Sequence, residues 1–354
     1  MTGCGTVCLH RSMTSTREST TVELRPFGDD DVAPAGLLLA ARHRAHVRSQ
    51  PLLAASGTAG VSDADPTAGV TEASRAAAHV AELWTAAGVN GWAAEGGDGL
   101  CGYLIGMPRR GAAWGPNMWV EAAGHAVTST DLVAPLYARA SESWVADGIV
   151  AHYAVVPAHD RTVLDEWAAL GFGGQHVHGI RSVDPGLDPV PASGVEVRRA
   201  RSDDADALAE LDLVPAEHQS RSPVFSAAPV PDRAELRAEW ATGWADERYP
   251  TFVAVRDGVV VGATTCCLLV ESSMHLGPAR PDGAAFLGFA AVLPAHRGHG
   301  VARSLIAAVL DWSRRQGCSS LVIDWRSTNR ESSRTWRALG FSETFRRLHR
   351  HVAY

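Results

Sequence analysis

The chain has 354 residues, of which 46% are hydrophobic and 20% charged, enough to build two domains with buried cores. The formal net charge of −7 disfavours a nucleic-acid or anionic-membrane surface, and every basic residue is arginine, which excludes a lysine nucleophile. Apolar runs are too short for a transmembrane helix, so no membrane partner is predicted.

The N-terminal segment, residues 1–20, is polar and lacks the apolar stretch of a secretory signal, so we predict a disordered tail. Cys4, Cys8 and His10 offer three metal ligands there, but a loose tail is a poor metal site, and we predict no bound metal. None of the six cysteines forms a CxxC pair, which is typical of free thiols in a reducing compartment and predicts a cytoplasmic protein.

The chain reads as an internal duplication. A short alternating strand followed by acidic residues begins at Val22 and returns at Val195. The end of each copy repeats more closely: Asp160 precedes Trp167-Ala-Ala-Leu-Gly-Phe172 by seven residues, as Asn329 precedes Trp336-Arg-Ala-Leu-Gly-Phe341. Residues 183–193 contain three prolines and read as a linker, which predicts domains at 21–182 and 194–354.

Each copy contains a predicted β-hairpin. In the second copy, strands at 252–255 and 259–263 flank a turn with Asp257-Gly258, and in the first copy strands at 92–95 and 100–105 flank Asp98-Gly99. A later strand over 286–293 leads to a predicted helix over 301–315, and a further strand covers 320–324.

The segment between that strand and that helix carries the main functional signal. It reads Arg297-Gly-His-Gly-Val-Ala302, a glycine-bearing loop that opens a helix. Backbone N–H groups at a helix N-terminus bind anions, glycines permit close approach of a phosphate, and Arg297 and Arg303 add positive charge. Alone this pattern is weak and also fits a plain strand-to-helix turn.

With Asn329 and Leu339-Gly-Phe341 at a fitting distance, the second half resembles the GNAT superfamily of acyl-CoA transferases. The superfamily's Val-x-Pro-x-x-Arg-Gly-x-Gly-x-Ala pattern is present, offset by one residue, as Val292-Leu-Pro-Ala-His-Arg-Gly-His-Gly-Val-Ala302. The resemblance implies two tandem α/β (α+β) domains, each a mixed, mainly antiparallel sheet flanked by helices.

The resemblance further implies that acetyl-CoA is the acyl donor and that a small-molecule amine attacks it directly in a ternary complex. The strand near 290–292 would separate from its neighbour and pair with the pantetheine arm, and a backbone N–H there would polarise the thioester carbonyl. The cofactor-binding residues implied are Ala291, Val292, Arg297, Gly298, His299, Gly300, Val301, Ala302, Arg303 and Asn329.

The catalytic residues are less defined. Many GNAT enzymes use a tyrosine to protonate the departing thiolate, whereas this chain has Trp336, whose indole is no usable acid and which also fits a core role. A thiolate leaves without an acid, since thiols titrate near pH ~8.5. Glu271, His275 and Asp324 are each candidates for the general base, or are surface and packing residues.

The first copy lacks the cofactor loop. No glycine-bearing loop precedes its helix near 132–145, Asp131 would oppose a phosphate at that helix, and Asp160 replaces Asn329. We therefore predict one acetyl-CoA site per chain, with a first copy that shapes the acceptor cleft.

Three alternatives stay open. Mycothiol synthase has the same tandem layout and is one substrate class to consider. A different kind of function is a non-catalytic acyl-CoA sensor or partner-binding module. Trp336 and the degenerate first copy are also consistent with that function. Fem-type aminoacyl transferases duplicate the fold as well but use tRNA, which the net negative charge disfavours.

Overall fold

The computed structural model describes residues 5–7, 22–54, 66–111, 115–225 and 229–352. The chain divides into two compact units. Unit 1 contains residues 1–175, 276–279 and 345–354, and unit 2 contains residues 176–275 and 280–344. None of the helices that the structure describes is long and apolar enough to cross a membrane.

The first half of the chain contains eight strands and four helices within its described ranges. The strands are β1 (Gly5–Val7), β2 (Val22–Pro26), β3 (Asn90–Gly96), β4 (Gly99–Gly111), β5 (Gly115–Val120), β6 (His125–Val127), β7 (Ala151–Pro157) and β8 (Gly173–Ser182). The helices are α1 (Val32–Ser49), α2 (Pro66–Trp84), α3 (Val133–Ala146) and α4 (Arg161–Ala169).

The second half contains six strands and four helices within its described ranges. The strands are β9 (Glu196–Arg199), β10 (Thr251–Arg256), β11 (Val259–Leu268), β12 (Ala284–Val292), β13 (Ser320–Arg326) and β14 (Ser342–His351). The helices are α5 (Ala205–Gln219), α6 (Arg233–Gly243), α7 (Val301–Arg315) and α8 (Arg330–Ala338).

The two units share a common strand arrangement, to which unit 1 adds β1 and β6. In unit 1, β1 to β5 form an antiparallel run, β5 pairs with β7 in parallel, and residues 345–351 of β14 pair antiparallel with β7. In unit 2, β9 to β12 form an antiparallel run, β12 pairs with β13 in parallel, and residues 176–182 of β8 pair antiparallel with β13. The strands of each unit form a mixed, mainly antiparallel arrangement, which confirms the predicted fold class.

The composition of the units differs from the linear domains predicted at 21–182 and 194–354. The strand that follows α4 contributes residues 176–182 to unit 2, and the strand that follows α8 contributes residues 345–351 to unit 1. Each unit thus gains its last strand from the other sequence repeat. Linear composition carries no signal for this exchange, because strand pairing depends on backbone hydrogen bonds that any extended segment can make.

The N-terminal segment requires a partial correction. Gly5–Val7 form β1, which pairs with the edge of β2, so the predicted disordered tail does not hold for these three residues. An edge strand offers unpaired N–H and C=O groups that recruit a further strand. Cys4, Cys8 and His10, the potential metal ligands of the tail, lie outside the described residues.

The repeated motif, a strand followed by acidic residues, forms the same Arg–Asp ion pair in both copies. Arg25 binds the Asp31 carboxylate with both terminal nitrogens at 2.7 Å, and Arg198 binds Asp204 at 2.6 and 2.9 Å. Each aspartate also accepts a backbone N–H three residues upstream. The hydrogen bond from Arg198 is the main cause that lowers the pKa of Asp204, so the carboxylate stays ionised and fastens the strand to the following helix.

Local patterns predicted the elements around the glycine-bearing loop well. Helix α7 has the predicted bounds, and Val301, Leu305 and Trp312 are buried in the core of unit 2. The hairpin turn places Asp257 at φ 52° and Gly258 at φ 77°, the left-handed conformation that a tight Asp-Gly turn requires.

Candidate acyl-donor and acceptor site

The predicted phosphate loop lies between β12 and α7. Gly298 and Gly300 have φ values of 78° and 79°, which turn the chain sharply into the helix, and Gly300 is its N-cap residue. Among the described residues no side chain caps this end of α7. The first N–H groups of a helix have no partner within it, so they are available to an anion.

The two glycines of this loop have different surroundings. A Cβ at Gly300 would lie 2.7 Å from the Cβ of Ala192, whereas a Cβ at Gly298 would meet no atom of the described chain within 4 Å. A side chain at 300 would displace the neighbouring segment, but one at 298 would project into open space. Gly298 is therefore the position at which a substitution probes the loop without disturbing its support.

The predicted linker, residues 183–193, packs against α7 and against the loop before it. The backbone N–H of Ala192 donates to the Ser304 hydroxyl at 2.9 Å, in the first turn of α7. Near the other end of the helix, Arg314 binds both carboxylate oxygens of Asp188 at 2.9 Å and the Val183 carbonyl at 3.0 Å. These contacts hold the linker along α7.

The charged side chains of the loop are at the surface. Arg297 is exposed and forms an ion pair of 2.9 Å with Glu331, and the Nδ1 atom of His299 lies 2.9 Å from the Arg297 carbonyl oxygen. An exposed pair of this kind contributes about 0.2–1 kcal/mol. Arg297 can thus exchange Glu331 for an anionic ligand at small cost. Arg303, also exposed, extends beside Gly300.

Strands β12 and β13 separate next to this loop. Their parallel ladder covers only Ala284–Leu287 on β12 and Ser320–Ile323 on β13. On its other edge β12 remains paired with β11 as far as Val292. The Leu293 N–H donates to Val261 at 3.0 Å, so by alternation the N–H groups of Ala290 and Val292 point to the edge that β13 has left.

A β-bulge and a cavity lie at the point of separation. The register of β11 and β12 shifts so that Gly288 has no counterpart, and this residue lines a cavity of about 240 Å³. The cavity is also lined by Glu271, Tyr249 and Phe286. The Tyr249 hydroxyl donates to the Glu271 carbonyl at 3.1 Å, which fixes the short turn that carries this glutamate. The exposed Glu271 carboxylate is the acidic group at the cavity.

Two thiols border the same cavity. Burial, the largest cause, raises the pKa of Cys267 to about 11, and burial likewise raises the pKa of Cys266 well above its ordinary value. Both are therefore neutral thiols at pH 7, and a nucleophilic cysteine requires the thiolate. This arrangement disfavours a covalent acyl-cysteine.

The remaining candidates have structural contacts. The Asn329 side chain caps α8 by accepting the Ser332 N–H at 3.1 Å, as Asp160 caps α4. Trp336 is 8% exposed and packs edge-on against Phe341 within the core, which favours the core role left open by the sequence. Asp324 lies in β13 one residue beyond the paired segment, opposite His178 of β8.

The corresponding region of the first half is filled by its own residues. Strands β5 and β7 are parallel as far as Val120 and Ala154, but His125 then bonds the Val155 carbonyl at 3.1 Å. The Arg42 guanidinium donates to the carbonyls of Ala122 and His125. Side chains thus occupy the place that the parting of β12 and β13 leaves open in unit 2.

The burial of His125 predicts a pH-dependent stability. Burial, the largest cause, lowers the pKa of His125 to about 3, whereas an unfolded histidine titrates near ~6.5. Below pH ~6.5 the unfolded chain binds a proton that the folded chain refuses, so stability is lost as pH falls from about 6.5 towards 3. We expect His125→Gln to flatten the slope of unfolding free energy against pH by about 1.4 kcal/mol per unit between pH 4 and 6, measured by urea denaturation. An unchanged slope would contradict it.

The sequence around this site matches a known protein family. Residues 213–341 match the family model described as "Acetyltransferase (GNAT) family". An aminoglycoside N(6')-acetyltransferase type 1 from Stenotrophomonas maltophilia is 31% identical over 156 residues, which are 44% of this chain and 91% of that protein.

Two further comparisons bear on length and fold. The enzyme of the same name from Salmonella typhimurium is 34% identical over 96 residues, or 27% of this chain, and the chain spans 64% of that protein's length. The crystal structure of a GCN5-related N-acetyltransferase from Sphaerobacter thermophilus superimposes with a TM-score of 0.53 at 16% identity, covering 93% of this chain and 95% of that one.

Proposed function

The chain belongs to the acetyltransferase (GNAT) family, and we propose that it transfers an acetyl group from acetyl-CoA to an amine of a small molecule. The observation that carries the proposal is the parting of β12 and β13 beside the N-terminus of α7. The N-terminus of α7 suits the diphosphate of the acyl donor, and the open edge of β12 suits its peptide-like pantetheine arm.

The roles of the individual residues follow from their positions. The N–H groups of residues 298–302, with Arg297 and Arg303, would hold the diphosphate. The N–H groups of Ala290 and Val292 face the open edge and would bond the pantetheine amides, and one of them would polarise the thioester carbonyl. The acetyl group then lies near the bulge at Gly288, at the mouth of the cavity.

The acceptor enters from the cavity that Glu271 lines. An amine must be neutral to attack, so it needs a base, and this carboxylate can accept its proton directly or through one water. The amine nitrogen bonds the thioester carbon, the C–S bond breaks, and CoA departs as a thiolate that needs no protein acid. The core position of Trp336 is compatible with this chemistry.

We propose a cationic amino sugar as the acceptor class. The curated relatives are named as aminoglycoside acetyltransferases, and the net charge of −7 and the Glu271 carboxylate suit a cationic substrate. We expect thiol release from acetyl-CoA in the presence of an aminoglycoside panel, followed with a thiol reagent, and mass spectrometry should show one added acetyl group.

The outcomes separate this proposal from its alternatives. Turnover only with the amine acceptor of mycothiol synthase would replace the amino-sugar class and keep the reaction. Binding of acetyl-CoA without turnover on any amine would favour the acyl-CoA sensor. Absence of acetyl-CoA binding would overturn the function altogether.

A further inference from the structure

Three side chains with metal-binding atoms converge in unit 2 from three separate segments. His178 of β8 and Asp324 of β13 are direct partners across an antiparallel ladder, so their side chains lie on the same face. His275 comes from the loop between β11 and β12. One ligand atom of each residue lies within 4.8 Å of those of the other two.

The histidines of this cluster are buried. His178 is 4% exposed and His275 is 1% exposed, and their rings meet edge-on with centroids 4.5 Å apart. Phe286 packs against the His275 ring at 5.1 Å. The loop that carries His275 is fastened by Arg280, which donates to the carbonyls of Leu269 and Val270 at 3.0 and 2.6 Å. Packing therefore keeps the two rings next to each other.

The donor set has a definite preference. Two imidazole nitrogens and one carboxylate oxygen suit Zn²⁺ and neighbouring divalent transition ions, while Mg²⁺ and Ca²⁺ prefer oxygen alone. Around a tetrahedral ion with bonds of about 2.0–2.1 Å, ligand atoms are about 3.4 Å apart. The three ligand atoms lie within 4.8 Å of one another, so metal binding would require side-chain rotation to bring them closer together. Asp324 is half-buried, which leaves solvent access for entry and for a fourth ligand.

We propose that His178, His275 and Asp324 form a binding site for a divalent transition-metal ion, with Zn²⁺ as the representative ion. This inference goes beyond the acetyl-transfer function and does not depend on it. Because the ion would hold β8, β13 and the β11–β12 loop together, its expected effect is to stabilise unit 2. It also gives Asp324 a role other than that of the general base.

The test uses the full-length chain without a purification tag, carrying Cys4→Ser and Cys8→Ser to remove the thiols of the tail. After chelator treatment we expect one Zn²⁺ per chain by calorimetry, a raised melting temperature in Zn²⁺, and the visible absorption of a tetrahedral site with Co²⁺. Asp324→Asn, which keeps the side-chain volume, should weaken Zn²⁺ binding at least about tenfold.

Asp257→Asn is the matched control, because Asp257 is a carboxylate with a 92% exposed side chain at a hairpin turn that asparagine tolerates. It should bind Zn²⁺ as the parent does. A folded parent that binds no Zn²⁺ or Co²⁺ would overturn the proposal, and so would binding that Asp324→Asn leaves unchanged. An Asp324→Asn variant that loses acetyl transfer in a parent that binds no metal would instead assign the cluster to proton transfer.

Discussion

Gly298→Asp is expected to weaken acetyl-CoA binding at least about 100-fold, while Gly298→Asn retains it within about tenfold. A side chain at 298 projects into open space beside the N-terminus of α7. A carboxylate there repels a diphosphate at the place where the helix attracts it, and asparagine has nearly the same size without the charge. Both residues tolerate the left-handed backbone at φ 78°, so the strain is shared.

Calorimetry checks this expectation. The parent chain should bind one acetyl-CoA, because the corresponding region of unit 1 is filled by His125 and Arg42. The aspartate variant should bind at least about 100-fold more weakly, a loss of about 2.7 kcal/mol. Two acetyl-CoA molecules per chain, or equal affinities for the two variants, would contradict the assignment of the loop.

Glu271→Gln is expected to lower kcat by about 100-fold or more while leaving acetyl-CoA affinity unchanged. The amide keeps the shape of the side chain at the cavity but cannot accept the proton of the attacking amine. The measurement is thiol release under saturating acetyl-CoA and acceptor. Glu142→Gln, at a glutamate in unit 1 with a 71% exposed side chain, is the matched control and should retain full activity. A Glu271→Gln enzyme with unchanged kcat would assign the base elsewhere.

The sequence predicted the parts of the site that depend on neighbouring residues. The bounds of α7, the Asp257-Gly258 turn and the glycine-bearing loop all follow from local periodicity, turn chemistry and the conformational freedom of glycine. Asn329 was identified by its position in the repeat, and the structure shows that this position requires a helix cap in both copies, since Asp160 does the same.

The identity of the general base could not be predicted from the sequence. Nothing in the linear order indicates which candidate base borders the bulge at Gly288. The sequence therefore does not distinguish among Glu271, His275 and Asp324. The structure separates them: Glu271 lines the cavity, whereas Asp324 and His275 join His178. Nothing in the sequence pointed to His178, because it lies in the first repeat, far along the chain from His275 and Asp324.

The duplication and the glycine-bearing loop before α7 could be predicted from the sequence, because short stretches of residues encode both features. Three features became evident only in the folded chain: each unit takes its last strand from the other repeat, Arg42 and His125 bond backbone carbonyls in unit 1, and β12 separates from β13 after Leu287. Each of these features arises because backbone pairing and burial join residues that are far apart in the chain. A strand's partner is set by the competition among all available edges, and local residue preference does not encode that choice.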